Sequence, residues 1–376
     1  MKNEIINLGS LPLVNNLFKT KKESLNAKKY GLRVIQDENL LMRLDVEIPS
    51  DEMFNQYLYR SSINKPYIDH CRKMWSYIKN FEPKRIADIG GNDGSLLKTF
   101  NDLSYNELDL TNIDASSSFR EDNESFGIKY VQEYWGDKIF DHKFDIITST
   151  NVFQHNPNYH KFLQGIKNNL NGIWILEFPY FLETVFTDQF DQIYHEHVFY
   201  WLLTPLYHLF KQYDLKIIDI SLEKIHGGSM RIVSSNRPEH LENKNKIEFF
   251  LEKEKNFDFT GWGQKIKTKL NNDKIFIENL EGSVAAFGAA AKGCIYLNCL
   301  NTNKIEYIID DTPQKQGLFS PGLGLEILNR KTIIDKHPDN IIILAHNFKE
   351  YIAESLRNDG YKGNIFVMLP VIEKIK

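Results

Sequence analysis

Residues 85–98 place the strongest constraint on the fold, because three elements follow one another there directly. Arg85-Ile86-Ala87-Asp88-Ile89 has the apolar character of a buried strand, Gly90-Gly91-Asn92-Asp93-Gly94-Ser95 turns the chain, and Leu96-Leu97-Lys98 resumes with helical character. Glycines after a strand let the backbone bend sharply and approach a ligand, and the following helix start offers free N–H groups to it. Further strand-like runs at 110–113, 129–131, 144–148 and 172–176 alternate with helix-compatible segments, which implies a doubly wound parallel sheet. The pattern then changes. Runs at 215–220 and 230–233 are joined across Ile225-His226-Gly227-Gly228-Ser229, too short for a helix, so they should form an antiparallel pair at the sheet edge.

This unit spans 66–240, opening on a helix in which Tyr67, Cys71, Trp75 and Ile78 recur at helical spacing. Residues 1–65 read as an irregular leader, too small to hold a large core alone. Residues 241–269 are charged and helical in pattern and suit a connector. A second strand-glycine-helix unit starts at Ser283-Val284-Ala285-Ala286-Phe287-Gly288, with strands at 305–309, 341–344 and 364–367, so 270–376 forms a second, Rossmann-like domain. With 376 residues, 42% of them hydrophobic, the chain can fill several such cores.

A net charge of −4 from near-balanced acids and bases offers no field that gathers nucleic acid or an anionic membrane. Cys71, Cys294 and Cys299 include no C-x-x-C pair, so neither a disulfide framework nor a zinc site follows from spacing. No stretch approaches the about 18 uninterrupted apolar residues of a membrane helix, and Met1–Asn7 lacks a signal-peptide run, which reads as a cytoplasmic protein.

In the loop, Asp88-x-Gly90-x-Asn92-x-Gly94 places an asparagine, tolerant of left-handed backbone, where a third glycine is commoner. Asp114 ends the second strand, where a carboxylate can accept bonds from ribose hydroxyls. These features indicate an adenosine cofactor. Asp88, placed to hold a methionine ammonium, and the antiparallel hairpin favour S-adenosylmethionine over a nicotinamide. The cofactor-facing set is Asp88, Gly90, Asn92, Asp93, Gly94, Ser95, Asp114 and Ala115, with Asn151 from the fourth strand. The plain alternative is that the glycines serve the turn and Asp88 the helix start.

The segment Asp191-Gln192-Ile193-Tyr194-His195-Glu196-His197-Val198-Phe199-Tyr200 gathers two imidazoles, two carboxylates and two phenols shortly after the fifth strand. In a doubly wound sheet ligands sit beyond the carboxyl ends of the strands, and the fourth strand delivers Asn151-Val152-Phe153-Gln154-His155 to the same rim. Three histidines, His155, His195 and His197, are thus expected at one pocket. A zinc motif on a helix needs i, i+4 spacing, which x-His-Glu-His-x lacks, so no metal is expected there. Plain packing of the histidines stays open on spacing alone. His226 reads as part of a hairpin turn rather than a ligand group, the two coinciding if that turn lines the pocket.

On these residues the chain resembles, nearly end to end, the sugar C-methyltransferases that act on nucleotide-linked ketosugars in deoxysugar biosynthesis. The stretches carrying the resemblance include Leu8–Leu13, Tyr57–Ser62, Ile89–Leu97, Asn151–His155, Tyr194–His197, His226–Arg231, Gly288–Gly293 and Lys315–Gly322. It implies an N-terminal substrate module, a class I Rossmann-like methyltransferase domain and a C-terminal Rossmann-like domain without a second cofactor. It also implies that His197 removes the proton beside the ketone, that Glu196 orients it, and that Tyr194, Tyr59 and His155 surround the sugar, with His226 alongside. Lys292, following a strand and flanked by Ala291 and Gly293, is placed to reach a substrate diphosphate, or else is solvated. The family's N-terminal zinc cysteines have no counterpart here. Their first pair would precede residue 1 and Asp37 and Leu40 stand where the second would fall, so no zinc is expected and the fold of residues 1–50 is open. Methylation of a sugar oxygen or nitrogen, and a silent sugar-nucleotide binder, are the alternative functions.

Overall fold

The computed structural model describes residues 3–53, 65–105, 107–225 and 227–376. Residues 3–53 are not an irregular leader. Strands β1 (Asn3–Pro12), β2 (Lys29–Gln36) and β3 (Met42–Leu44) form an antiparallel sheet whose inner face carries Ile5, Ile6, Leu11, Leu32, Val34, Met42 and Leu44. Register shifts between Glu4 and Ile6 and between Asn7 and Ser10 interrupt the two-residue alternation of β1, which hides the strand from a periodicity reading. Where the second cysteine pair is expected, Arg43 Nε donates to the Asp37 carboxylate and Asp37 N to Leu41 O, closing the β2–β3 turn with an ion pair. Among the described residues no three His, Cys, Asp or Glu side chains gather as a metal site.

The central sheet contains β4 (Arg85–Ile89), β5 (Asp109–Asp114), β6 (Lys129–Gln132), β7 (Phe144–Thr150) and β8 (Leu170–Pro179), all parallel. Ile86, Ala87 and Ile89 are all buried, as a strand covered on both faces requires. The chain next makes a two-residue strand, β9 (Phe199–Tyr200), which leaves this sheet and pairs with β3, so the N-terminal sheet is completed from the far side of the histidine-rich segment 191–198. The hairpin β10 (Lys216–Glu223) and β11 (Ser229–Ser235) returns to the central sheet, with β11 inserted antiparallel between β8 and β10. The resulting order is β6-β5-β4-β7-β8-β11-β10. Strand order reverses between β4 and β7, which opens a crevice at their carboxyl ends.

Helices Lys244–Lys255 and Phe259–Glu278 lead to a third sheet. It holds β12 (Val284–Phe287), β13 (Ile305–Ile309), β14 (Ile327–Leu328), β15 (Asn340–Ile343) and β16 (Asn364–Val367), all parallel, and an antiparallel edge, β17 (Glu373–Ile375). Both of its faces are buried, giving the α/β architecture a second domain.

The N-terminal sheet is seated on this part of the chain. A Cβ at Gly263, inside the helix Phe259–Glu278, would come 1.9 Å from the Ile5 carbonyl oxygen, so only glycine allows β1 to pass. Buried Ser24 donates to Ser320 O at 2.5 Å and accepts from Gly324 N at 3.0 Å, while Gly322 N donates to Ser24 O at 2.9 Å. The segment 320–324 is therefore a dock for the N-terminal module. Among the described residues no helix is long and apolar enough to cross a membrane.

Candidate active site

The loop after β4 is built for close approach. Gly90, Asn92 and Gly94 all have left-handed backbone, with φ of 65°, 52° and 76°, and a Cβ at Gly90 would lie 2.4 Å from Val152 Cγ2. Two fully buried asparagines hold the loop open. Gly91 N donates to Asn112 Oδ1 at 3.1 Å, and the amides of Asn112 and Asn123 both donate to Asn92 O at 3.0 Å. Neither was legible as a site residue, although an asparagine inside the apolar run Leu110-Thr111-Asn112-Ile113 is a signal that buried backbone needs a partner. Ser95 ties the helix start by donating from N and Oγ to Asp93 Oδ1 at 3.3 and 2.6 Å. Half-buried Ala115 follows Asp114, and Asn151, at φ 56°, donates its N–H to Glu177 O at 3.0 Å at the end of β8.

Two carboxylates flank this cradle. Asp88 is 1% exposed, accepts from Thr148 Oγ1 at 2.7 Å and faces no cation among the described residues; burial pushes its carboxyl up to about 7. Asp114 accepts from Asn92 N at 3.0 Å and Ser116 N at 2.9 Å, leaving lone pairs on both oxygens for further donors. An un-neutralised buried acid beside a second acid fits the ammonium and ribose diol of S-adenosylmethionine. Asp114→Ala is expected to weaken cofactor binding by about 1.5–3 kcal/mol for each charge-assisted bond lost, read by calorimetry with S-adenosylhomocysteine. Affinity for the same ligand is expected to rise as pH increases through about 7, because the ionised Asp88 carboxylate holds the ammonium. Asp88→Asn should flatten that profile, and a flat wild-type profile would remove Asp88 from the contact.

The histidine-rich segment is built from a short 3₁₀ turn, Phe190–Gln192, and a tight turn closed by His197 N donating to Tyr194 O at 3.0 Å. His197 Nδ1 lies 2.9 Å from Gln192 O. A carbonyl only accepts, so Nδ1 carries the proton and Nε2 the lone pair. The ring packs against Tyr194 at 4.1 Å between centroids with the planes tilted by 39°, and meets the His155 edge at 4.9 Å. His155 is held the same way, Nδ1 to Glu196 O at 2.8 Å, and burial drives its pKa down to about 4. His155 and His197 therefore form one site at the rim after β7.

Other expectations change. His195 turns away: it is 2% exposed, its Nε2 donates to Tyr30 O at 3.3 Å, and it belongs to the contact with the N-terminal sheet. Glu196 does not orient His197, since its carboxylate is engaged by Asn15 Nδ2 and burial pushes it up to about 7; the Gln192 carbonyl orients the ring instead. Neighbouring side chains in a tight turn diverge, so adjacency in sequence does not make contact. Burial lowers the pKa of Lys292, and the charge of Asp191 opposes that shift. Arg231, from the 226–231 stretch, pairs with Glu177 and lies 3.2 Å from Glu223, with His70 2.7 Å from Glu177. Tyr59 and His226 lie outside the described residues.

Residues 59–220 match the family model for a methyltransferase domain, and 224–370 match that for a C-methyltransferase C-terminal domain. The chain is 23% identical to C-methyltransferase NovU of Streptomyces niveus, across 97% of this chain and 92% of that protein. Among solved structures it is similar to the plantazolicin methyltransferase BpumL in complex with S-adenosylhomocysteine and a pentazolic desmethylPZN analogue, with TM-score 0.38, 13% identity, and coverage of 47% of this chain and 88% of that one. It is also similar to an S-adenosylmethionine-dependent methyltransferase from Clostridium acetobutylicum, with TM-score 0.36, 11% identity, and coverage of 44% and 89%.

Proposed function

The chain belongs to the S-adenosylmethionine-dependent C-methyltransferases, and we propose that its acceptor is the carbon beside the ketone of a nucleotide-linked sugar, activated by His197. The observation that carries this reading is the His197 ring, fixed by the Gln192 carbonyl with Nε2 as its acceptor, at the rim shared with the cofactor loop.

A saturated sugar carbon is no nucleophile until an adjacent carbonyl makes its proton removable, so a base is required. Neutral imidazole has an ordinary pKa near 6.5, matched to that task. His197 Nε2 takes the proton, and the C–H electron pair passes into the carbonyl to give an enolate. The imidazolium so formed strengthens its Nδ1–H bond to Gln192 O. The enolate oxygen needs a donor. Neutral His155 directs its Nδ1–H to Glu196 O and carries no N–H at Nε2, so a hydroxyl suits the role better, and the position of the Tyr194 phenol beside His197 supports it as that donor. Bound S-adenosylmethionine supplies an electrophilic methyl, which the enolate carbon takes while the S–C pair stays on sulfur. His197 then returns its proton to solvent.

The deciding experiment incubates the protein with methyl-labelled S-adenosylmethionine and a nucleoside-diphosphate keto sugar and follows the product by NMR. A C–CH3 signal is expected. An O–CH3 or N–CH3 product would overturn the acceptor assignment, and absence of transfer would favour a silent binding protein.

A further inference from the structure

A second cluster of ionisable groups lies behind the catalytic turn, across the boundary to the third sheet. Asp191 sits inside the Phe190–Gln192 turn, 1% exposed, with neither carboxylate oxygen accepting a hydrogen bond. Two basic groups lie toward it, Lys292 through its charge and His346 as a buried ring whose pKa is lowered by desolvation. Lys292 lies in the first turn of the helix Ala291–Leu300, and His346, in the turn after β15, has Nδ1 3.6 Å from Asp191 Oδ2. The same helix packs Tyr296 against Phe190 at 6.0 Å between centroids, and His346 Nε2 reaches Gln189 Oε1 at 3.3 Å. The residue after Asp191 is Gln192, whose carbonyl orients His197.

A buried carboxylate without hydrogen bonds is costly unless an opposite charge faces it. Among the described residues the opposite charge that does so is that of Lys292, with the His346 ring, whose pKa burial lowers, packed beside the carboxylate, and both come from the C-terminal domain. We propose that Asp191, held between Lys292 and His346, positions the His197 base through the Gln192 carbonyl that follows it. The C-terminal domain thereby sets the geometry of the proton-transfer step rather than serving as a passive support. This rests on the reading of His197 as the base.

The test uses the full chain with S-adenosylmethionine and a nucleoside-diphosphate keto sugar, comparing Asp191→Asn, Lys292→Met, Lys292→Arg and the double variant Asp191→Asn with Lys292→Met. Displacement of a reacting group by about 1 Å costs roughly 100-fold in rate. Each neutralising single variant is therefore expected to lose about 10–100-fold in kcat, with KM for both substrates and affinity for S-adenosylhomocysteine nearly unchanged. The double variant should lose no more than the worse single one, because the two charges act as a unit. Exchange of the substrate proton in D2O should slow in parallel, and Lys292→Arg, which keeps the charge, should recover most of kcat.

A wild-type kcat in Lys292→Met overturns the proposal. So does a raised KM for the nucleotide sugar at unchanged kcat, which would make Lys292 a diphosphate ligand. A Lys292→Arg as slow as Lys292→Met would mean packing rather than charge. If Asp191→Asn yields no folded protein, the Lys292 pair decides alone. His197→Asn is measured alongside: if it keeps its kcat, the base assignment fails, whereas an inactive His197→Asn beside active Lys292→Met and Asp191→Asn sinks the positioning role only.

Discussion

His197→Asn is expected to bind S-adenosylhomocysteine and the keto sugar as the wild type does, yet to transfer methyl more slowly by roughly 100–10,000-fold, the range attributed to general-base catalysis. Asparagine can still donate to the Gln192 carbonyl that holds Nδ1, but offers no basic nitrogen in place of Nε2. The loss should therefore fall on kcat, with KM little changed. The sharper measurement omits the methyl donor and follows the substrate proton beside the ketone in D2O. Enzyme-dependent exchange in the wild type that vanishes in the variant supports the assignment. Undiminished exchange in His197→Asn would move the base elsewhere, with His155 and Tyr194 the neighbours to examine.

The second large effect is on stability. Glu254, fully buried on the helix Lys244–Lys255, accepts from Tyr180 OH at 2.7 Å, Leu203 N at 2.6 Å, Thr204 N at 2.8 Å and Thr204 Oγ1 at 2.6 Å. The helix Leu203–Gln212 starts at Leu202, which has no side chain able to cap it, so a carboxylate some 50 residues further along performs the capping. Glu254→Ala leaves these buried donors without an acceptor, at about 1–3 kcal/mol each. A total loss of about 3 kcal/mol or more is expected, read as a lower denaturant midpoint at unchanged slope. Glu254→Gln, which keeps one acceptor oxygen, should recover part of it. A midpoint equal to that of the wild type would mean that water replaces the carboxylate.

Elements whose evidence is local were legible. The strand-loop-helix at 85–98, the antiparallel pair ending the central sheet and the strands of the third sheet all announce themselves through periodicity and glycine placement, and the structure contains each of them. The N-terminal sheet was not legible, because bulges interrupt the alternation of β1 and its fourth strand, β9, is two residues long and arrives from the other side of the histidine-rich segment. The short strands β14 and β17 escape for a related reason, since two or three residues carry no measurable period.

Within the site, the sequence by itself determined which chemical groups are present near the carboxyl ends of the strands: the loop with Asp88, Asp114 beyond it, and the histidines of 155 and 195–197. Their partners were decided only by tertiary structure. Asn15 meets Glu196 across 181 residues of chain, His195 is taken up by the N-terminal sheet, and a backbone carbonyl, which no side-chain pattern encodes, orients His197. The physical reason is that a helix or strand prescribes side-chain direction through its repeat, whereas the turns between Phe190 and Tyr200 have none. There, direction is set by what the three sheets press against the turn from outside: Asn15 and Tyr30 from the first, His155 from the second, Lys292 and His346 from the third.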